Sequence, residues 1–149
     1  ELGRQVVRDV VFTTFAKRIA WLHAERAPTW RYFFDYVAEG RRHSQPGAGH
    51  GAEIPFTMGN AGTCGCLGAP ATAADREAAM RMVDHWSAFA AEGAPEAAGR
   101  PPWPRDGRQR SRVMVFGADD AVATTDFMKA RLDAFTLALK VLDRVGPAR

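Results

Sequence analysis

The feature that most constrains this sequence is one strong β-strand signal with no partner of similar strength. Residues 29–37 alternate in the period of a strand, and four aromatic side chains share one face: Trp30, Tyr32, Phe34 and Tyr36. Phe33 and Val37 add apolar bulk to the opposite face, which is typical of an interior strand. Because one strand cannot form a sheet, the sequence predicts that neighbours of this strand lie outside the 149 residues.

Three helices are predicted around this strand. The first covers residues 4–26, with a buried apolar stripe formed by Val7, Val11, Phe15, Ile19 and Leu22. The second begins at a capping box of Thr72 and Asp75 and ends at Gly93, before Pro95. Its predicted buried stripe is Ala79, Met82 or Val83, Trp86 and Phe89 or Ala90. The third helix has a stripe of Met128, Leu132, Phe135, Leu139 and Leu142. Two short strands, residues 113–116 and 122–125, are predicted on either side of a turn.

Residues 39–71 form a long glycine-rich segment, with eight glycines between Gly40 and Gly68. Loops of this length in compact domains are often functional. Within it, His50 stands between Gly49 and Gly51, where the bare backbone leaves room for a substrate. Histidine is the usual general base because its pKa lies near neutrality. His50 is therefore the first candidate for chemistry.

Charge and composition exclude several classes of function. Lys+Arg number 20 and Asp+Glu 17, and residues 100–112 alone carry the positive excess in a proline-broken segment around Trp103. That segment is predicted to be a solvated surface loop rather than a nucleic-acid interface. No stretch is long and apolar enough for a membrane helix, and the first residues do not read as a signal peptide. A cytoplasmic protein is favoured over a secreted one, with no nucleic-acid or membrane partner.

Residues 49–56, Gly-His-Gly-Ala-Glu-Ile-Pro-Phe, followed by Gly59-Asn60, resemble the histidine loop of type-B carboxylesterases, the para-nitrobenzyl esterase and cholinesterase branch of the α/β-hydrolases. The surroundings are similar in the same order. The aromatic strand at residues 30–36 resembles the late strand before that loop, and residues 86–95 resemble the helix after it and its exit. Trp103-Pro104 and residues 113–116 resemble the following tryptophan-proline and the last strand. The resemblance covers nearly the whole chain.

This resemblance implies an α/β fold, with residues 1–149 forming the C-terminal part of a single α/β-hydrolase domain whose N-terminal part is absent. It implies hydrolysis of a small-molecule carboxylic ester through a serine acyl-enzyme, with no cofactor. His50 would be the triad histidine, and Glu53 a buried residue that supports it. In this fold the serine and the triad acid precede the histidine, but the only serine before His50 is Ser44, outside any G-x-S-x-G elbow. The chain alone is therefore expected to be inactive and to aggregate.

Two alternatives remain open at this point. The chain could be a split or decayed hydrolase piece that acts only as a binding module. It could also be a small metal-binding domain, because four possible ligands lie within 24 residues: His43, His50, Cys64 and Cys66. The C-x-C spacing is not the common zinc spacing, so no metal site is predicted.

Overall fold

The structure, a computed structural model, describes residues 2–145. In chain order its elements are α1 (Leu2–Arg8), a π-helical stretch (Asp9–Thr13), α2 (Thr14–Ala24), β1 (Tyr32–Phe34), a 3₁₀ turn (Glu39–Arg41), α3 (Ile54–Thr57), α4 (Ala73–Glu92), β2 (Arg112–Phe116), β3 (Ala121–Thr125) and α5 (Lys129–Val145). The chain divides into two compact units. The helical unit comprises residues 1–31, 105–113 and 125–149, and the sheet unit comprises residues 32–104 and 114–124.

The first helix of the helical unit presents the opposite face from the one predicted. The five residues of its apolar stripe are between 43% and 65% exposed, whereas Asp9, Thr14 and Lys17 are buried. The π-helical stretch sets the five-residue step from Asp9 to Thr14, and the Thr14 hydroxyl donates to the Asp9 carbonyl at 2.6 Å. The prediction of a buried stripe was wrong because periodicity shows that one face is apolar, but not which partner covers it.

Charged side chains join this helix to α5. Asp9 Oδ2 lies 2.6 Å from Arg131 Nε, and Lys17 donates to Asp133 Oδ1 at 2.6 Å. Leu132 of α5 is fully buried, as predicted. The predicted stripe residues Leu139 and Leu142 fall outside the described side chains. Each buried charge on the first helix, Asp9 and Lys17, is thus paired with an opposite charge on α5.

The sheet unit contains the aromatic strand, which is shorter than predicted. β1 pairs in parallel with β2, Tyr32 opposite Met114 and Phe34 opposite Phe116. The strand order is β1-β2-β3, and the predicted turn before β3 is confirmed by a bond from Gly117 N to Asp120 O. The strand therefore has one neighbour among the described residues, and the prediction that its neighbours lie outside the chain is wrong for this edge. On its other edge, no strand among residues 2–145 pairs with β1.

Helix α4 forms largely as predicted. Thr72 and Asp75 make both bonds of the capping box, and Gly93 ends the helix in the left-handed conformation at φ 73°. Ala79 and Met82 are buried, but Phe89 is 49% exposed. His85, which the stripe omitted, is fully buried and bonds through Nδ1 to the Pro95 carbonyl at 2.7 Å.

The prediction of a solvated loop at residues 100–112 is wrong in part. Trp103 is buried in the sheet unit against the rings of His85 and Phe116. In the helical unit, Asp106 is buried and accepts from Arg31 Nε at 2.8 Å. Burial of an ion pair and a tryptophan cannot be read from composition, which counts charges without showing their partners.

Candidate functional site

His50 lies in a tight turn that leaves it open to solvent. Ala52 N bonds to Gly49 O, and Ile54 N bonds to Gly51 O, each at 3.2 Å. Gly51 adopts a φ of +75°, a conformation that favours glycine. His50 is exposed, and a side chain added at Gly49 would meet no atom within 4 Å. The backbone is therefore open on the Gly49 side of the histidine.

The short helix α3 anchors this turn from its C-terminal side. Phe56 is only 2% exposed, and its ring centroid lies 5.3 Å from those of Phe34 and Tyr36. Burying an aromatic ring of this size contributes a large share of the local hydrophobic free energy. Ile54, in contrast, is 55% exposed, so Phe56 alone draws the segment inward.

Glu53 stands at the junction between the histidine turn and α3. Its carbonyl accepts from Phe56 N at 3.0 Å and from Thr57 N at 2.9 Å, which begins the helix. The side chain is half-buried. Burial raises the pKa of the Tyr32 phenol, and the negative charge of Glu53 raises it further. The Glu53 carboxylate therefore acts electrostatically on the first residue of β1.

Asp75 accepts hydrogen bonds from three segments near the His50 turn: the end of the aromatic strand, the 3₁₀ turn and the start of α4. Its Oδ1 accepts from the Tyr36 hydroxyl at 2.7 Å and from Glu39 N at 3.0 Å, and its Oδ2 accepts from Thr72 N at 2.9 Å. Burial opposes ionisation of Asp75, but the hydrogen bonds from Thr72, Tyr36 and Glu39 prevail and lower its pKa. Burial and the bond to Asp75 raise the pKa of Tyr36. The capping box identified Asp75 in the sequence, but nothing there showed that Tyr36 shares its carboxylate.

The described residues do not form a complete nucleophilic site around His50. The chain contains no G-x-S-x-G sequence, and its serines are Ser44, Ser87 and Ser111. The Ser44 hydroxyl donates to the Arg41 carbonyl at 3.1 Å, and Ser111 Oγ accepts from Arg31 at 3.0 Å. The hydroxyls of Ser44 and Ser111 are thus bonded within the structure, and none of the three serines lies on a strand-to-helix elbow.

The four residues considered above as metal ligands are not arranged as they would be in a metal site. Cys64 and Cys66 are joined in a disulfide, so neither offers a thiolate. His43 and His50 are both exposed in the loop. Within residues 2–145, no group of three or more His, Cys, Asp or Glu side chains is arranged to hold a metal ion.

Comparison with known proteins identifies relatives along most of the chain. The profile of the carboxylesterase family matches residues 3–135. A pyrethroid hydrolase of Mus musculus is 26% identical and a cocaine esterase of Homo sapiens is 27% identical, each over 104 residues. Each alignment covers 68% of this chain and 18% of the relative, so the chain spans less than a fifth of their length.

Solved structures of esterases share the fold of this chain. A thermophilic para-nitrobenzyl esterase superposes with a TM-score of 0.76 at 22% identity, over 88% of this chain and 26% of that one. A carboxylesterase of Geobacillus stearothermophilus gives a TM-score of 0.60 at 30% identity, over 76% of this chain and 22% of that one. The chain thus has part of an α/β-hydrolase fold, as predicted. None of the described helices is long and apolar enough to cross a membrane.

Proposed function

This chain belongs to the carboxylesterase family, and from that membership we propose that it is the C-terminal part of a longer serine carboxylesterase, in which His50 is the catalytic histidine. The carrying observation is that the exposed, glycine-flanked His50 lies on an anchored turn within the matched residues 3–135. Residues 1–149 would then belong to one hydrolase domain. Its remaining part would supply the nucleophilic serine, the triad acid and most of the ester pocket.

In this proposal His50 moves one proton in two directions. It takes the proton from the serine hydroxyl while that oxygen attacks the carbonyl of a small-molecule carboxylic ester. It then gives the proton to the departing alcohol, which leaves an acyl-enzyme that water hydrolyses by the reverse route. The reaction needs no cofactor. An exposed imidazole on a short, anchored turn suits this role because it can reach a substrate without losing its position.

We assign Glu53 the role of positioning the His50 turn. Glu53 lies between that turn and α3, where its carbonyl accepts the first helical bonds, and Phe56 of α3 packs against Phe34 of β1. The charge of Glu53 contributes, after burial, to the raised pKa of Tyr32, the first residue of β1. Loss of the carboxylate would loosen the turn without removing the base itself.

Two exposed features support the proposal that the rest of the domain packs against this chain. The apolar stripe on the first helix is 43% to 65% exposed, far more than a helix of this kind normally leaves uncovered. The outer edge of β1 has no partner strand among the described residues. The missing part of a hydrolase domain would cover the stripe and continue the sheet.

The deciding experiment uses the protein expressed from its complete reading frame and short-acyl p-nitrophenyl esters. His50→Ala should lower kcat by several orders of magnitude, because triad members act as a unit. His43→Ala is the matched control, an exposed histidine of the same loop, and should leave kcat within about twofold. Hydrolysis by His50→Ala within tenfold of the wild type would reject the assignment.

Glu53→Gln tests the positioning role in the same assay. We expect a loss of about 10–100-fold, by analogy with groups that orient a ligating side chain. Glu92→Gln, at an exposed position on α4, is the control and should have no effect. Because a positioning residue does not carry the proton, kcat should fall while the pH at half-maximal kcat/KM stays nearly unchanged. A loss equal to that of His50→Ala would give Glu53 a direct part in the chemistry.

The alternative is a non-catalytic binding module, which the absence of a G-x-S-x-G sequence favours. The sequence of the reading frame upstream of Glu1 separates the two. An upstream elbow supports the esterase, whereas a start codon directly before Glu1 supports the module. As the esterase proposal stands, residues 1–149 purified alone should hydrolyse no ester above the buffer rate and should aggregate on size-exclusion chromatography.

A further inference from the structure

The helical unit contains a cavity of about 210 Å³ that the proposed esterase chemistry does not use. Four of the residues that line it are basic: Lys17, Arg108, Arg110 and Lys129. Trp21 and Asp126 are also in the wall. None of the lining residues belongs to the His50 turn. The arginine-rich segment, which carries the positive excess of the sequence, therefore contributes two of its cations to a concave site.

The wall of this cavity has more hydrogen-bond donors than acceptors. Trp21 Nε1 is buried and finds no acceptor in the described part of the chain. Lys17 is 3% exposed, and its ammonium group lies 4.5 Å from the centre of the Trp21 ring. An ammonium group has three N–H donors, and Asp133 Oδ1 accepts one of them at 2.6 Å. Trp21 Nε1 has no surface that a ligand could reach, but the charged donors of the wall favour a ligand with acceptor oxygens.

The charges around the cavity leave one cation uncompensated. Asp133 accepts from both Lys17 and Lys129, and these bonds hold its pKa low, so it stays ionised. Arg108 Nη1 lies 3.8 Å from Glu25 Oε1. Asp126 contributes a carboxylate to the wall. Arg110 has no ion pair with any carboxylate of residues 2–145. Its guanidinium offers five donors in a fixed fork that matches an oxyanion.

We propose that this cavity binds a small oxyanion, a phosphate or carboxylate group, which pairs with Arg110 beside Trp21. The volume is below the roughly 300–1,000 Å³ typical of sites for drug-sized molecules, so it suits a small anion or the charged end of a larger ligand. The site needs neither His50 nor an ester substrate, so this proposal is independent of the esterase proposal.

The test uses ¹⁹F NMR of the protein expressed from its complete reading frame and labelled with 5-fluorotryptophan. Sodium phosphate, sodium acetate and sodium chloride are titrated at constant ionic strength. We expect the Trp21 resonance to shift saturably with phosphate or acetate and not with chloride. Saturation by phosphate alone identifies a phosphate site, and saturation by acetate alone identifies a carboxylate site. No shift, or an equal shift with chloride, would overturn the proposal.

Variants show whether the response comes from this cavity. Trp21→Phe assigns the resonance by its loss, and Trp21→Tyr assigns it in the same way should the first variant fail to fold. Arg110→Gln should raise the anion concentration at half-saturation about tenfold or more, the effect of losing one charge-assisted bond. Arg105→Gln is the matched control, an arginine of the same segment that stacks on Trp30 outside the cavity. Equal weakening by both variants would indicate a diffuse positive field and would refute a built site.

Discussion

Replacing Asp75 with alanine should destabilise the protein by about 3–5 kcal/mol. Three contributions add up: loss of the capping-box bond from Thr72 N, worth about 0.5–1 kcal/mol because the Thr72 hydroxyl still caps Asp75 N, and loss of charge-assisted bonds from Tyr36 and Glu39, worth about 1.5–3 kcal/mol each in isolation. The sum is limited because Glu39 N and Thr72 N are only part-buried and can turn to water. The Tyr36 hydroxyl is buried and would stay unsatisfied.

Asp75→Asn separates these contributions because of the way the bonds divide between the two oxygens. Tyr36 and Glu39 both donate to Oδ1, and only Thr72 N donates to Oδ2. An asparagine can keep its one oxygen at the Oδ1 position and place its amide against Thr72 N, where two donors oppose each other. The expected cost is therefore about 1–2 kcal/mol, close to that of a lost cap.

The assay is urea unfolding followed by circular dichroism, on the protein expressed from its complete reading frame. Tyr36→Phe completes a double-mutant cycle with Asp75→Ala, and a coupling free energy of about 1–2 kcal/mol is expected because the two side chains bond directly. Glu77→Gln, at an exposed ion pair of the same helix, should cost about 0.5 kcal/mol or less. Strict additivity in the cycle, or equal losses for Asp75→Asn and Asp75→Ala, would refute this account.

The pH dependence gives an independent check of the sign. The folded protein lowers the pKa of Asp75, so the unfolded chain binds the proton more readily. Stability from the ionised carboxylate is complete above the unfolded pKa, near 4, and is lost as the pH falls through the lower folded pKa. The difference in unfolding free energy between the wild type and Asp75→Asn should therefore shrink between pH 6 and pH 3. A constant difference would mean that Asp75 does not act as an ionised acceptor.

Asp106→Ala should cost about 3–5 kcal/mol in the same unfolding assay, because it leaves the buried Arg31 guanidinium and the Arg112 amide without their shared acceptor; a loss below 1 kcal/mol would contradict the buried pair. Ile19→Glu changes the most exposed residue of the apolar stripe, 65% exposed. It should reduce aggregation of purified residues 1–149 on size-exclusion chromatography, but should lower the yield of soluble protein from the complete reading frame. An increase in that yield would contradict the proposal that the rest of the domain covers the stripe.

Local signals in the sequence predicted the elements more reliably than their surroundings. The capping box at Thr72, the glycine end at Gly93 and the turn before β3 were predicted because the residues that decide them lie within a few positions of one another. The glycines beside His50 also mark its turn, but of the two large apolar residues that follow, Ile54 and Phe56, only Phe56 is buried.

What the sequence could not show depends on partners far along the chain. The first helix has a clear apolar stripe, yet the buried face is the one with Asp9 and Lys17, because their counter-charges on α5 are more than a hundred residues away. The buried His85 and the shared carboxylate of Asp75 are similar cases. Their polar atoms are matched by Pro95 and Tyr36, which no local pattern links to them.

The parallel pairing of β1 with β2 has a consequence for synthesis of the chain. Tyr32 meets Met114 across about eighty intervening residues, so β1 leaves the ribosome long before its partner exists. At about 5–20 residues per second, the edge of β1 that pairs with β2 waits roughly 4–16 s for its partner. During this interval a run of Tyr32, Phe33 and Phe34 is a template for pairing between nascent chains. Three rings that contact this segment in the folded chain emerge in the meantime, and Phe56 precedes Trp86 and Trp103 in the sequence.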